Sequence, residues 1–443
     1  AADVEIATGS SITNIANAAT GNVSFGGIVD LQGRGLIIAA NGISFGGGAN
    51  SVRSTISAGQ GTLALRGGFA GTTIGLGTGA GTLSISSTSL AALQDGVAAL
   101  IVVGGNASTG GLDVTGTITA DGSVAVRDAL LVQNTAGQII LASGSTLTGE
   151  QTDATISITG PDIRTGGIIQ TRGGAVTLTG PVTLTSALAT IDTTAVGPTA
   201  TGGNITFSST VNGLAAGSNG LTLHGGTGGT VQFGGTVGAG TRVGALTVQD
   251  ALNVNASSIS ASLVSITQTA SAAASTFSGA LNTDAAGGIS LTGFDFDLDG
   301  GVTTTNGGNL TIASSAGGLV RIRNSAASVN GNFHKSGDGT TELGTNITAA
   351  GTGGISFAGG ATTLTATPGP VELTVTSADA PVTINTTVDG ATAAANDFRI
   401  TAANGIVTLG QDVGGTTRLR DFLISASGQI SSSGVILSLI HIL

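Results

Sequence analysis

Three aspartates at alternate positions are the clearest group in this sequence that could do chemistry. Asp295, Asp297 and Asp299 precede Gly300 in the segment FDFDLDG, which matches the start of a calcium-binding loop of the form D-x-D-x-D-G. Three like charges about 7 Å apart on one strand face attract a cation. The twelfth loop position is Asn306, where a bidentate carboxylate is usual. The spacing therefore predicts a calcium site at the three aspartates, with an incomplete ligand set.

The same segment has a second interpretation, as an ordinary strand with one buried face. Phe294, Phe296 and Leu298 alternate with the aspartates, and a period of two puts apolar side chains on one face and polar side chains on the other. Such a strand needs no bound ion to explain its residues. Apart from the calcium site, the sequence predicts no cofactor.

Two arginines and two nearby acids are the candidates for carbohydrate chemistry. Arg321 and Arg323 share one strand face, and Asp338 and Glu342 follow closely in the sequence. Solenoid enzymes that degrade polysaccharides use paired carboxylates or arginine with calcium. Nothing in the spacing predicts that these four residues converge, and His224 has no His, Asp or Glu close to it in the sequence. The sequence therefore predicts no catalytic residue and a protein that is not an enzyme.

Composition and charge exclude several classes of protein. The 443 residues include no Cys, which excludes disulfide scaffolds, Cys-ligated zinc and thiol catalysis. Only 13 residues are basic against 24 acidic ones, and Lys335 is the single lysine, so no basic surface for nucleic acid can form. No apolar run reaches the roughly 18 residues of a membrane helix, so no membrane-spanning segment is expected.

Short runs of alternating apolar and hydroxyl residues recur throughout the chain and predict strands. The segments 175–179 and 182–185 are examples, and Gly or Asn residues that tolerate a positive φ bound such runs. One segment, 87–96, differs because it begins with Ser and Thr, has Leu90 and Leu93 three positions apart, and ends in Gly. This pattern predicts a single short helix near residues 88–95.

A long internal repeat links two segments of the chain. Three pairs of segments align without gaps: 231–242 with 407–418, 210–223 with 387–400, and 173–185 with 353–365. The offset between the paired segments changes only slightly from one pair to the next, as small loop deletions would produce. Residues from about 170 to 260 therefore match residues from about 350 to 436.

Repeated short strands with few aromatic residues favour one fold class. Only 3% of the residues are aromatic, which suits a narrow interior better than the core of a β-sandwich. Stacked strand units bury small aliphatic side chains against the units above and below. The sequence predicts an all-β, right-handed parallel β-solenoid (β-helix), an elongated rod continuous over residues 1–436. Its handedness follows the general preference of parallel crossovers.

Two stretches carry a resemblance to known families. The segment KSGDGTTELG at 335–344 resembles the K-x-G-x-G-T-x-x-L-x-G repeat of autotransporter passenger domains, with Glu342 where an apolar residue or Thr is commoner. The segment 75–96 and the GGNLTI and GGISF units resemble large repetitive bacterial exoproteins of the filamentous-haemagglutinin type. The resemblance implies secretion to the bacterial cell surface, outer-membrane attachment of the full-length protein, and a role in adhesion or as a stalk. It supplies no catalytic residues.

The leading functional hypothesis is a structural and adhesive segment whose polar strand faces contact cells, glycans or matrix proteins. Alternatives are a passive spacer for a module elsewhere in the full-length chain, an ice-binding solenoid with Thr ladders, and a polysaccharide-active β-helix enzyme. Exposed strand edges also predict end-to-end self-association of this chain.

The two ends of the sequence suggest a fragment. The chain contains no Met, so we expect it to be an interior piece of a longer protein. Residues 437–442 back-translate to a sequence that resembles a transposon-end adapter of sequencing libraries. We therefore expect the native frame to end near Ile436, with 437–443 as a non-native tail.

Overall fold

The computed structural model describes residues 4–5, 12–16, 21–56, 61–105, 113–196, 201–268, 274–365 and 369–442, and their side chains from residue 21 to residue 438. The chain is all-β, with about 51% of its residues in strands, and its parallel strands stack into a β-solenoid of about 16 turns. The predicted all-β solenoid is therefore confirmed. Contacts divide the chain into two compact units, Ala1–Gly235 (unit 1) and Thr236–Leu443 (unit 2).

Unit 1 consists of short strands and one helix. In chain order its elements are β1 (Val4–Glu5), β2 (Ile12–Ala16), β3 (Asn22–Phe25), β4 (Val29–Asp30), β5 (Gly35–Ala39), β6 (Gly42–Phe45), β7 (Val52–Arg53), β8 (Thr62–Arg66), β9 (Ile74–Gly77), β10 (Leu83–Ile85), α1 (Ser87–Ala91), β11 (Leu100–Gly104), β12 (Ile118–Asp121), β13 (Ser123–Val126), β14 (Leu130–Gln133), β15 (Gln138–Leu141), β16 (Thr146–Gly149), β17 (Ile156–Thr159), β18 (Asp162–Thr165), β19 (Ile168–Thr171), β20 (Val176–Thr179), β21 (Val182–Leu184), β22 (Leu188–Asp192), β23 (Ile205–Phe207), β24 (Val211–Gly213), β25 (Gly220–His224) and β26 (Thr230–Phe233).

These strands pair in parallel with their equivalents in the next turn. One sheet runs β2-β5-β8-β11-β14-β17-β20-β23-β26, a second runs β3-β6-β10-β9-β12-β15-β18-β21-β24, and two smaller groups are β13-β16-β19-β22-β25 and β1-β4-β7. Along the first sheet, the residues that pair in neighbouring strands are separated in the sequence by an interval typical of the repeat length of solenoids. The turn from Leu63 to Ile101 is longer than the others because it contains the helix.

The helix is shorter than the sequence pattern predicts. It covers Ser87–Ala91 instead of residues 88–95, and the side chain of Ser86 accepts a hydrogen bond from the Ser89 N–H as its N-cap. The helix ends early because Leu93 returns to a parallel bridge with Val52. Within the part of the chain that the structure describes, no helix is long and apolar enough to cross a membrane.

Unit 2 has the same construction without a helix in its described residues. Its strands are β27 (Val243–Ala251), β28 (Asn253–Ala256), β29 (Ile259–Gln268), β30 (Ser275–Phe277), β31 (Leu281–Thr283), β32 (Ile289–Gly293), β33 (Phe296–Leu298), β34 (Val302–Thr304), β35 (Leu310–Ser314), β36 (Leu319–Ile322), β37 (Ala327–Val329), β38 (Phe333–Ser336), β39 (Thr340–Leu343), β40 (Ile347–Ala349), β41 (Ile355–Ala358), β42 (Thr362–Leu364), β43 (Pro370–Val375), β44 (Val382–Asn385), β45 (Val388–Gly390), β46 (Asp397–Ala402), β47 (Val407–Leu409), β48 (Leu419–Ala426), β49 (Ile430–Ser432) and β50 (Ser438–Ile442).

The strands of unit 2 form three columns, which we call faces, and beyond β45 the first of them continues only as the isolated bridges Val388–Val413 and Val413–Ile436. Face 1 is β28-β30-β33-β36-β39-β42-β45. Face 2 runs from the first half of β29 through β31, β34, β37, β40, β43, β46 and β48 to β50. Face 3 runs from the second half of β29 through β32, β35, β38, β41, β44 and β47 to β49. The turns differ slightly in length, because the corners between the strands vary while the strands keep their register.

The core of each unit is a column of inward side chains at alternate strand positions. Val, Leu, Ile and Phe fill it, as the alternating pattern predicts. Phenylalanines of successive turns lie against each other, with ring centroids 5.1 Å apart for Phe207 and Phe233 and 5.6 Å apart for Phe398 and Phe422. Ring contacts between phenylalanines of successive turns therefore stabilise the interior, in addition to the burial of apolar side chains.

The described part of the predicted non-native tail, residues 437–442, takes part in the fold, and Leu443 lies outside the described residues. β50 pairs in parallel with β48, and Ser438 lies opposite Leu419. The origin of residues 437–443 stays a prediction.

Candidate functional site

The three aspartates of the predicted calcium site lie on and beside β33. Phe296 and Leu298 are fully buried and Asp297 points outward between them, so the strand interpretation is correct for these three residues. Asp295 lies before the strand, and Phe294 is only half-buried instead of inward as predicted.

A glutamine of the preceding turn explains this difference. The side-chain oxygen Oε1 of Gln268 accepts hydrogen bonds from the backbone N–H groups of Phe294 and Asp295, both over 3.0 Å. These bonds place the two residues at a corner, outside the regular alternation of β33. Asp295 Oδ1 then accepts a hydrogen bond from the Leu319 N–H over 2.6 Å, which ties the corner to the next turn.

The carboxylates of Asp297 and Asp299 are bound by side chains of the next turn. Asp297 and Asp299 both bind Arg323, through Nη2 to Asp297 Oδ2 over 2.9 Å and through Nε to Asp299 Oδ1 over 3.3 Å. Asn324 also donates to Asp299 Oδ1 over 2.9 Å. Among the residues with a described position, no group of three or more His, Asp or Glu side chains could hold a metal ion. In this structure the contacts of the three carboxylates are to arginine and amide groups, and the calcium site at Asp295, Asp297 and Asp299 stays a prediction.

The acidic and basic residues form a ladder along face 1, which we call the charged ladder. It consists of Asp297, Asp299, Arg321, Arg323 and Glu342. The strand register places Asp297 opposite Arg321 and Arg321 opposite Glu342. Arg321 Nε lies 3.3 Å from Glu342 Oε2, and its Nη1 lies 4.0 Å from Asp297 Oδ2. Each charge therefore faces an opposite charge in the neighbouring turn.

Asp297 is the most buried carboxylate of the charged ladder. Its side chain is 14% exposed, and its Oδ1 is buried without a hydrogen-bond partner. Burial raises the pKa of the Asp297 carboxyl above its ordinary value; Arg323 opposes this shift and Asp299 adds to it. Arg323 is thus the group that most opposes the effect of burial on the Asp297 carboxyl.

This arrangement joins residues that the sequence pattern does not bring together. Arg321, Arg323 and Glu342 meet, whereas Asp338 lies on the turn before β39. The signal that could have found the ladder is the recurrence of FDL, VRI and TEL, each a charged residue between two others on a strand, although the two intervals between them differ in length. Glycoside cleavage needs two carboxyl groups that face the glycosidic bond. Here the carboxylates of Asp297 and Glu342 face guanidinium groups instead.

Lys335 is a second site that sequence reasoning missed. Its side chain is 1% exposed and points into the interior from β38. Its ammonium donates to the backbone carbonyl of Gly339, to that of Gly337 over 3.1 Å and to that of Ala358 over 3.4 Å. Burial lowers the pKa of Lys335 below its ordinary value, and Asp338 opposes the shift. Three carbonyl groups of two turns are thereby satisfied by one side chain.

His224 lies opposite an acidic residue that is distant from it in the sequence. The register of β22 and β25 places it opposite Asp192 of the preceding turn. The two residues do not belong to a metal-binding group in the part of the chain that is described.

Comparison of the chain with protein-family models, with curated proteins and with solved structures finds no match. The similarity to filamentous haemagglutinins and autotransporter passengers therefore stays a prediction from short sequence motifs.

Proposed function

We propose that this chain is a non-enzymatic structural and adhesive segment of a secreted, surface-attached repetitive bacterial protein. One observation carries the proposal: one column of outward positions on face 2 bears hydroxyl or amide groups in eight consecutive turns. They are Ser260, Asn282, Thr303, Ser328, Thr348, Thr374, Thr401 and Ser425. Such a surface makes many weak polar contacts, whose combined strength grows with the number of turns engaged.

The charged ladder supports the same proposal because it argues against an enzymatic function. Its carboxylates and guanidinium groups bind each other across three turns. Groups used in this way stabilise the stack and are not free to act as acid, base or nucleophile. A polysaccharide-active enzyme is the weaker alternative for this reason.

Binding by the isolated chain tests the adhesive role. The purified chain is applied to immobilised glycans and matrix proteins, with a heat-unfolded sample and an unrelated protein of similar negative charge as controls. We expect salt-tolerant binding by the folded chain to at least one neutral surface, because the polar positions of face 2 in that run are uncharged. Absence of binding to every surface would favour a passive spacer. Release of reducing ends from a polysaccharide would favour the enzyme, and thermal hysteresis would favour ice binding.

Self-association is part of the proposal and has its own measurement. A parallel strand at an open edge carries unpaired N–H and C=O groups that a second copy can pair with. We expect the sedimentation coefficient of the chain to rise with concentration. A single species at all concentrations would contradict this expectation.

A further inference from the structure

Face 3 of unit 2 carries an unbroken column of polar, outward side chains. The register places these residues one above another in eight consecutive turns: Ser265, Ser290, Thr311, His334, Ser356, Thr383, Thr408 and Ser431. We call this column the hydroxyl face. Seven of its eight members are hydroxyls, and the eighth is an exposed imidazole.

The hydroxyls of this face are available to a ligand. Over the described residues, none of the seven makes a side-chain hydrogen bond within the protein, although Ser and Thr side chains at the corners commonly do, as Ser314 and Thr386 illustrate. A hydroxyl is both donor and acceptor, so each turn offers one of each function to solvent or to a bound molecule.

The hydroxyl face is also electrically neutral, unlike its neighbours. The only formally charged residue on its strands is Lys335, which points inward and is buried. Face 1 carries the charged ladder, and the strands of face 2 carry Glu372, Arg399 and Asp421. The hydroxyl face therefore offers no exposed lysine or arginine to a polyanion and no carboxylate to a basic peptide.

The spacing of the turns defines the ligand further. Parallel strands lie about 4.8 Å apart, so the eight positions span about 34 Å in a straight line. The backbone N–H and C=O groups of these strands are used in the ladders between turns, so an added peptide strand cannot pair with the face. An extended neutral polysaccharide has the matching chemistry, since it offers hydroxyls at every sugar unit and a sugar unit is close in length to the strand spacing.

We propose that the hydroxyl face binds an extended, uncharged polysaccharide along its length, with about one sugar unit for each turn. The proposal rests on the adhesive function above and names its ligand class. The exposed ring of His334, between Thr311 and Ser356, adds a flat surface against which a sugar ring can lie.

The test uses the whole chain and soluble β-1,4-linked glucose oligomers of two to eight units, measured by titration calorimetry. We expect affinity to rise with oligomer length up to roughly seven units. The variant Thr311→Val, Ser356→Ala and Thr383→Val removes three hydroxyls with little change of shape, and we expect it to weaken binding about tenfold or more. Oligogalacturonates of the same length are expected to bind much more weakly.

A matched variant on unit 1 provides the control. Ser157, Thr177 and Thr206 form a shorter outward hydroxyl column on its first sheet. The variant Ser157→Ala, Thr177→Val and Thr206→Val removes the same three groups and is expected to bind the oligomers like the unchanged chain. Thermal unfolding of both variants checks that each is folded.

The outcomes separate this inference from the broader proposal. If the chain binds cells or matrix but no neutral oligomer, or if the control variant loses as much affinity as the face 3 variant, the hydroxyl face is not the glycan site although adhesion stands. If affinity does not depend on length, or acidic oligomers bind as well, the inference is also overturned. If the chain binds nothing at all, both proposals fail.

Discussion

Asn219 and Asn396 occupy equivalent positions in the long internal repeat, and each closes the loop before it in the same way. The side-chain Oδ1 of Asn219 accepts a hydrogen bond from the Ala215 N–H over 2.8 Å, and that of Asn396 accepts one from the Thr392 N–H over 3.2 Å. Both side chains are buried, and each loop joins a short strand to a longer one. The repeat found in the sequence therefore corresponds to a repeated local structure.

Replacement of these asparagines tests whether they hold the two loops equally. We expect Asn219→Ala and Asn396→Ala each to lower the free energy of unfolding by about 1–2 kcal/mol, because each leaves a loop N–H without its acceptor. Ser218→Ala changes an exposed residue of the same loop and is expected to stay within about 0.5 kcal/mol of the unchanged chain. Denaturant unfolding measures all three, and a neutral Asn396→Ala would contradict the equivalence of the loops.

The charged ladder predicts a stability loss that depends on pH. In Arg323→Met, Asp297 and Asp299 lose the arginine that binds both of them. We expect a loss of about 1–3 kcal/mol near pH 8, because a buried carboxylate is left without its main partner.

The loss should shrink on acidification. The pKa of Asp297 is already raised by burial, and removal of Arg323 raises it further, so the folded variant takes up a proton before the unfolded chain does. Proton uptake by the folded state stabilises it as the pH falls toward the ordinary pKa of Asp, 3.8. Arg164→Met breaks an exposed pair with Asp162 and serves as the control, with an expected change within about 1 kcal/mol at either pH. An equal loss at both pH values would refute the argument.

Burial of Lys335 predicts a pH dependence of the stability that is opposite in sign to that caused by Asp297. Burial lowers the pKa of its ammonium in the folded protein, so the unfolded chain binds more protons between that lowered pKa and the ordinary value of 10.5. The free energy of unfolding therefore rises with pH in this window, and below it the contribution is constant. Lys335→Met should lack this rise and should lose about 1–3 kcal/mol at neutral pH, because carbonyls of Gly337 and Gly339 lose their donor.

The neighbouring His334 provides the control for this variant. It is exposed on the same strand, and His334→Gln should leave both the stability and its alkaline pH dependence unchanged. The measurement is thermal unfolding from about pH 7 to about pH 10. Parallel curves for Lys335→Met and the unchanged chain would mean that the lysine is not buried as described.

The fold class could be predicted because it depends on local patterns, whereas the contacts between turns could not. Alternation and glycine corners indicate strands wherever they occur, but the length of each turn decides which side chains meet. Asp297 pairs with Arg321 across a longer turn than the one that joins Arg321 to Glu342, so no constant spacing finds all three. The gap-free alignment of 173–185 with 353–365 even misplaces one strand, since it matches inward Val176 to outward Ser356, while the buried equivalent is the residue before it.

Two glycines at equivalent places in the long repeat give the last prediction. Gly238 and Gly414 have φ angles of +70° and +72°. A Cβ atom would lie 2.0 Å from the Ser260 carbonyl oxygen in the first case and 2.0 Å from the Leu437 carbonyl oxygen in the second. Each alanine variant therefore combines an unfavourable left-handed backbone with a clash against the backbone of the next turn.

We expect Gly238→Ala and Gly414→Ala each to destabilise the chain by roughly 3 kcal/mol or more. Gly48 separates the cost of the left-handed backbone from the cost of the clash. Its φ is +85°, and an added Cβ would meet no atom within 4 Å. Gly48→Ala should therefore cost only the backbone strain, about 1–2 kcal/mol. Denaturant unfolding of the three variants compares them directly. If all three cost the same, close approach between turns contributes nothing at these positions, and the glycines are required only for their backbone conformation.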